Sequence, residues 1–286
     1  QHLDIERVID AAKAVAIPAD QEILHVLPKE FIIDDQEGIQ KPKGMSGVRL
    51  ECKVHLVTGA VNAAQNIKKC IRRCGLEVDE MILEQLASSY AVLTEDEKHL
   101  GVALVDIGGG TTEFAVISFN GIGALETINT AGDEQTESIV QWFKDHHKLA
   151  IGERTAEEIK CTVGSAVRTS GKSIAVKGLD LITGIPKTVQ VSSDEIRQAL
   201  SETVYQITAA IKRALDKTPP EHASDLIDFG IIMTGGGAQL KGLDEHIKNK
   251  TGLPVHVAED PCYSVVKGTG IVLDSLKKFQ NVLIQP

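Results

Sequence analysis

Val102-Ala-Leu-Val-Asp106-Ile-Gly-Gly-Gly-Thr-Thr-Glu113-Phe-Ala-Val-Ile-Ser118 decides how the rest of the chain is read. An apolar run rises to Asp106, three glycines and two threonines follow, and a second apolar run leaves. The pattern predicts a β-hairpin whose turn is Gly108, Gly109 and Gly110, with Thr111 and Thr112 opening the return strand. Glycines let backbone N–H groups approach a phosphate closely, because no Cβ stands between. Asp106 cannot serve a phosphate directly, since like charges repel. A carboxylate in that place makes sense when Mg²⁺ and its waters lie between the two. On this stretch alone an ordinary tight hairpin fits as well.

Composition narrows the classes around it. The chain has 286 residues, enough for about two domains, and its formal charge is −10. Such an acidic balance argues against nucleic acid and gives no help toward an anionic membrane surface. The 3% aromatic content suits an aliphatic α/β core better than an all-β sandwich. Five scattered cysteines suggest reduced, cytoplasmic thiols. Cys70 and Cys74 could make half a metal site, but no second pair or nearby histidine completes it. No apolar run reaches the length of a membrane span, and no signal peptide is visible. The chain starts at Gln1 inside a helical pattern, so it reads as a piece of something longer.

Moving outward toward the N-terminus, Asp4–Val15 is patterned as an amphipathic helix. Glu22–Leu27 and Glu30–Asp34 read as short strands on either side of Pro28, and Gly47–Thr58 as a longer one. Val61–Cys74 predicts a helix stopped at Gly75. Val78–Leu93 predicts another, with Ala87, Ser88 and Ser89 as a small face, and Thr94–His99 a charged connector. Toward the C-terminus, Asn120-Gly121 signals a further hairpin. A helix is expected from Gly132-Asp133 to about His147, and another over Thr155–Ala166, capped by Thr155 and Glu158. After a hairpin over 171–191, Ser193 would cap a long helix to Leu215. The lysines and aliphatics of 277–284 fit the end of a packed helix better than a membrane-lying one.

A second glycine turn lies about 125 residues beyond the first. Met233-Thr234-Gly235-Gly236-Gly237-Ala238 closes a short apolar strand and leads into a helix expected over Ala238–Lys250. A strand, glycines and a helix N-terminus together aim N–H groups at an anion or a flat polar ligand. Neither turn matches the dinucleotide or Walker patterns. Paired, they point to a nucleotide held in a cleft.

Asp106-Ile-Gly-Gly-Gly-Thr111 together with Thr234-Gly-Gly-Gly-Ala238 resembles the second phosphate loop and the adenosine loop of the actin/Hsp70/sugar-kinase superfamily, in its bacterial actin branch. Residues 1 to about 110 resemble the FtsA cell-division actins. The carriers are Leu24-His-Val-Leu-Pro28, Gly44-Met-Ser-Gly-Val-Arg-Leu50 and the stretch from Leu86 to Glu97. From about Thr111 onward the chain resembles the MreB cell-shape actins, through Thr112–Ser118, Ile151–Lys160 and Gly252–Pro261. The resemblance implies an α/β, actin-like (ribonuclease H-like) ATPase fold. It divides the chain into an FtsA-type small α+β subdomain (1–74), a remnant of the first actin-like domain (75–100), a second nucleotide-binding domain (101–150 and 226–270), an inserted outer subdomain (151–225) and a C-terminal helix and tail (271–286).

It also implies roles. ATP and Mg²⁺ are the expected cofactors. Asp106 would order Mg²⁺-bound water, and Gly108, Gly109, Gly110, Thr111 and Thr112 would cradle the phosphates. Gly132 and Asp133 would approach the sugar–phosphate side. Glu157, Lys160, Gly235, Gly236, Gly237 and Ala238 would hold the adenosine, with Cys161 beside them packed rather than reactive. Partners would be further copies in filaments, FtsZ and other divisome proteins, at the inner face of the cell membrane. An MreB-type cell-shape filament is the alternative. A sugar-kinase relative would need a catalytic Asp and a sugar-binding cluster in the first domain, which the sequence lacks.

Three departures qualify this. The family's N-terminal phosphate hairpin is not in the sequence. Phosphate hydrogen bonds at ~1.5–3 kcal/mol each could amount to over ~5 kcal/mol, against about −8 kcal/mol for micromolar binding, so weak or absent ATP binding and slow or absent hydrolysis are expected. The MreB catalytic glutamate falls near residues 62–66, where Asn62, Gln65 and Asn66 stand; Gln65 could position a water but is a poor base. The subdomain through which FtsA binds FtsZ falls at about 150–225, which is MreB-like here.

Overall fold

The computed structural model describes residues 2–39, 41–118, 121–169, 171–218, 224–277, 279 and 283. The Asn120-Gly121 turn signal and most of the 277–284 tail therefore lie outside the described residues. The chain forms two compact units, one of residues 1–91, 119–123 and 265–286, the other of 92–118 and 124–264.

In the first unit, helix α1 (His2–Ala12) precedes strands β1 (Gln21–Ile33), β2 (Gln36–Ile39) and β3 (Leu50–Ala60), paired antiparallel in the order β2-β1-β3. Ile5 and Ile9 of α1 pack on a small core of Phe31, Ile33 and Ile39. The two short strands expected around Pro28 are one continuous strand. The register shifts between Pro28 and Glu30, which accommodates a residue with no N–H to give the ladder. Helix α2 (Val61–Arg73) follows, then α3 (Glu84–Val92). The helix expected from Val78 starts only at Glu84. A Cβ on Gly268 would run into the Ala87 backbone, so the small Ala87–Ser89 face does admit a close neighbour.

The second unit begins with α4 (Glu95–Leu100) where a connector was expected. Thr94 and Glu97 form a capping box, with Glu97 N–H donating to Thr94 Oγ1 and Thr94 N–H donating to Glu97 Oε2. Strands β4 (Val102–Ile107), β5 (Thr112–Ser118) and β6 (Gly121–Ile128) follow as sheet neighbours, β4 and β5 antiparallel. Every residue of β4 is buried, as a central strand covered on both faces requires. Helix α5 (Gly132–Trp142) runs into a π-helical turn, Phe143–His147, ended by left-handed Lys148, so the single helix expected to His147 changes its winding at Phe143.

Strand β7 (Leu149–Ala150) joins β8 (Ser173–Asp180) and β9 (Pro186–Ser192) in a three-stranded sheet. Helix α6 (Glu153–Val163) starts after Gly152, two residues before the predicted Thr155 cap, which lies inside its first turn. The capping box at the next helix is Ser192 with Glu195, and Leu200 divides the run into α7 (Ser193–Ala199) and α8 (Ser201–Asp216). After α9 (Asp225–Phe229), strand β10 (Ile231–Thr234) pairs parallel with β4 and with β11 (Val255–Val257), across helix α10 (Leu243–Thr251). The sheet order is β11-β10-β4-β5-β6. Phe114, Ile139, Phe143, Ile159, Ile207 and Ile247 belong to one core that joins the sheet to its helices. Helix α11 (Ser264–Asp274) belongs from Val265 onward to the first unit.

His25, on β1, is 3% exposed, and neither ring nitrogen has a hydrogen-bond partner among the described residues. It sits opposite Val57 on the face that also carries Leu27. Burial pulls its pKa down from 6.5 to about 4. The folded chain thus holds the ring neutral while the unfolded chain protonates it, so stability falls as pH drops from 6.5 toward 4. The stability difference between wild type and His25→Leu should change by up to about 3 kcal/mol across that window. Denaturant titrations at several pH values would measure it, and a pH-independent difference would contradict the assignment.

Candidate nucleotide-binding site

Parallel pairing sets Thr234 beside Asp106, so both glycine turns leave the same edge of the sheet. In the first turn Gly108 N–H donates to Thr111 O at 2.9 Å, closing the loop on itself. The loop is then held from the side by α5. Gly132 N–H donates to Gly108 O at 3.1 Å, and Asp133 N–H to Gly109 O at 2.8 Å. Those two helix N-terminal N–H groups thus anchor the loop. What α5 turns to the cleft is the bare Cα of Gly132 and the carboxylate of Asp133. A Cβ on Gly132 would come within 3.2 Å of Gly108 O, and one on Gly109 within 3.4 Å of the Asp133 carboxylate.

In the second turn Gly235 has φ +82°, a left-handed conformation that favours glycine. A Cβ there would run into Asp106 and the Ile107 carbonyl, and one on Gly237 into the Ile107 side chain. The helix expected to begin at Ala238 is instead a short 3-10 turn, Gly236–Gln239; α10 begins only at Leu243, after left-handed Gly242. Ala238 is buried in the core. The turn therefore presents glycine backbone and the Gln239 and Leu240 side, not a helix N-terminus. Thr234 Oγ1 and Ser264 Oγ hydrogen-bond beneath it.

Between the turns lies a cleft of about 490 Å³. Gly108, Gly109, Gly132, Asp133, Glu157, Lys160, Gly236 and Gly237, eight of the residues expected from the sequence, line it. Asp106, Gly110, Thr111, Thr112, Gly235 and Ala238 are not on its wall. Asp106 is buried at the end of β4, and Thr112 Oγ1 donates to Thr130 O at 2.7 Å. Gln65 belongs to the first unit, half-buried on α2.

Lys160 is the central cation. Its Nζ donates to Gly132 O at 2.8 Å and Thr136 Oγ1 at 3.0 Å, and pairs with Glu157 Oε2 at 2.7 Å. Thr136 Oγ1 lies 2.6 Å from the same carboxylate oxygen. Burial raises the Glu157 pKa, but hydrogen bonds from Lys160 and Thr136 outweigh it and hold the carboxyl below its usual value. Lys160 is thus largely buried in the pair while the Glu157 side chain is half exposed. Cys161, expected to be packed, is exposed and on the cleft wall; burial and then the Glu157 carboxylate push its thiol pKa up.

Sequence reasoning missed Thr136, Gln135, Lys241 and Cys262. Gln135, Lys241 and Cys262 line the cleft, and Cys262 Sγ accepts from Gln239 Nε2 at 2.8 Å. Helical spacing could have found Gln135 and Thr136, which follow Gly132 by three and four residues. Nothing in the sequence signals Cys262.

Two glycine turns on parallel neighbouring strands, a cleft between them and an inserted subdomain define an actin-like fold. Residues 58–281 match the family model described as MreB/Mbl protein, and residues 1–58 match the SHS2 domain inserted in FtsA. The chain belongs to the bacterial actins, in the MreB/Mbl family over most of its length and with an FtsA-type SHS2 domain at its N-terminal end. Cell division protein FtsA of Pseudomonas aeruginosa is 44% identical over 292 residues, which cover 96% of this chain and 66% of that relative. Cell shape-determining protein Mbl of Bacillus cereus is 35% identical, covering 91% of this chain and 77% of Mbl. The crystal structure of MreB5 of Spiroplasma citri bound to ADP is 31% identical with a TM-score of 0.73, covering 77% of this chain and 67% of that one. The chain spans just under two thirds of the length of the P. aeruginosa FtsA it matches.

Gly235→Ala forces a side chain into left-handed backbone and against Asp106. It should destabilise the chain by roughly 2–4 kcal/mol, read by denaturant unfolding. Gly110→Ala, with open space at its Cβ, should change stability by less than about 1 kcal/mol.

Proposed function

We propose that this chain is an actin-like, ATP-binding protein of bacterial cell division, of the FtsA type. The observation that carries it is the cleft itself, bounded by the Gly108–Gly109 loop, the Glu157–Lys160 pair and the Gly236–Gly237 turn. Phosphates belong at the first turn, within reach of Lys160, and adenosine between α6 and the second turn. Solved MreB5 with ADP, 31% identical, supports nucleotide as the ligand class.

Mg²⁺ is part of the proposal. It is bound through one or two carboxylates together with substrate phosphates. Asp133, on the cleft wall against Gly109, is the carboxylate placed to hold it, which fits such a site; Asp106 is buried off that wall, against Gly235, and would act on the phosphate charge only from behind it. When bound, the ion would neutralise phosphate charge that these carboxylates otherwise repel. The chain's own residues contribute the rest: Lys160 offers a positive charge, Gly132 and Gly109 keep the wall bare, and Glu157 orients Lys160.

A division role is favoured over a cell-shape role by the N-terminal SHS2 segment and the 44% identity to FtsA. The MreB/Mbl match over 58–281 favours the cell-shape alternative. Self-association into filaments, FtsZ and other divisome proteins as partners, and a place at the inner membrane face belong to the same proposal. No helix among the described residues is long and apolar enough to cross a membrane.

Thermal unfolding in Mg²⁺-ATP tests the nucleotide reading. The midpoint should rise with ligand, since a ligand at 100 times its Kd adds about 2.7 kcal/mol, and the inferred Kd should be weaker than micromolar. Lys160→Met should weaken that response by about 10-fold in apparent Kd or more, a loss of roughly 1.4 kcal/mol. No shift at saturating millimolar nucleotide would overturn the reading.

A further inference from the structure

Gln135 is 1% exposed, lines the cleft, and has no hydrogen-bond partner for either Oε1 or Nε2 among the described residues. Three of its neighbours on α5 are engaged. Gly132 and Asp133 hold the phosphate loop, and Thr136 joins Lys160 and Glu157. A buried amide with both ends unmatched gives up its hydration and receives nothing in return. Lining a cleft, such a group is completed by what enters the cleft.

We propose that the Gln135 amide hydrogen-bonds a ribose hydroxyl of the bound nucleotide and so selects ribonucleotides over deoxyribonucleotides. This rests on the nucleotide reading above and assigns it a residue that neither glycine turn contains. The position argues for the sugar. Gln135 stands on the helix whose N-terminus holds the phosphate loop, while the Glu157–Cys161 and Gly236–Gln239 walls lie to the adenosine side. The sugar is the part of a nucleotide between phosphates and base. The chemistry agrees. An amide both donates and accepts, as a hydroxyl does, whereas a phosphate oxygen only accepts and would leave Oε1 facing an anion.

The test is calorimetric titration of the full chain with Mg²⁺ and ATP, 2′-deoxyATP or 3′-deoxyATP, on wild type and on Gln135→Met, an apolar side chain of similar length. Wild type should bind at least one deoxy form about 10-fold more weakly than ATP, the effect of one lost hydrogen bond to a buried polar group. Gln135→Met should bind ATP about 10-fold more weakly and show no preference for it. Without nucleotide its melting midpoint should equal or exceed that of wild type, because the unmatched amide is gone. Equal affinity of wild type for all three nucleotides overturns the inference, whether or not the variant folds. So does a Gln135→Met chain that keeps both affinity and preference. A wild type that binds no ATP overturns the nucleotide reading, and this inference with it, and is distinguished by the missing ATP heat.

Discussion

Parallel pairing of β10 with β4 is the contact on which the site depends. It sets Thr234 beside Asp106, so that two glycine turns separated by more than a hundred residues leave one sheet edge together. The pairing needs the bulk of the intervening chain to fold as an excursion that returns to the sheet. The inserted β7-β8-β9 sheet and helices α5 to α8 are that excursion, and their apolar faces join the same core. Its closeness also explains the glycines of the second turn. Gly235 and Gly237 lie against Asp106 and Ile107 with no room for a Cβ, so they serve strand packing as much as any ligand.

The first turn is held differently. Its carbonyls accept N–H groups from the start of α5, and Lys160 fastens to the same turn of helix through Gly132 O. Loop, α5 and α6 are therefore tied together, with Glu157 and Thr136 bonded to the lysine. The charge on this wall is mixed: Lys160 is paired with Glu157 at 2.7 Å, and Lys241 and Asp133 stand on the same cleft. The resulting wall is bare backbone at Gly108, Gly109 and Gly132 and polar side chains at Glu157, Lys160 and Lys241.

Much of this was legible in the sequence. The apolar run into Asp106 and the triple glycines fixed the two turns, and the longer strings that resemble FtsA and MreB located the Glu157–Lys160 wall. Local chemistry was read less well where two signals competed. Pro28 suggested a break, but a register shift absorbs it within a single strand. Thr155 with Glu158 matched a capping box, yet the helix begins earlier, after Gly152. The helix expected from Ala238 is a 3-10 turn, and left-handed Gly242 separates it from the helix that begins at Leu243.

By itself, the sequence determined which residues could approach a ligand without side chains and which apolar runs had to be buried strands, because both follow from residue type and spacing. Only the tertiary structure decided which of these groups share a wall. It engaged the Gly132 and Asp133 N–H groups in holding the loop, left Asp106, Gly235 and Ala238 off the cleft wall, and brought Gln135, Lys241 and Cys262 onto it. The reason is that strand pairing and helix packing bring together residues far apart in the chain, and no local pattern records that contact.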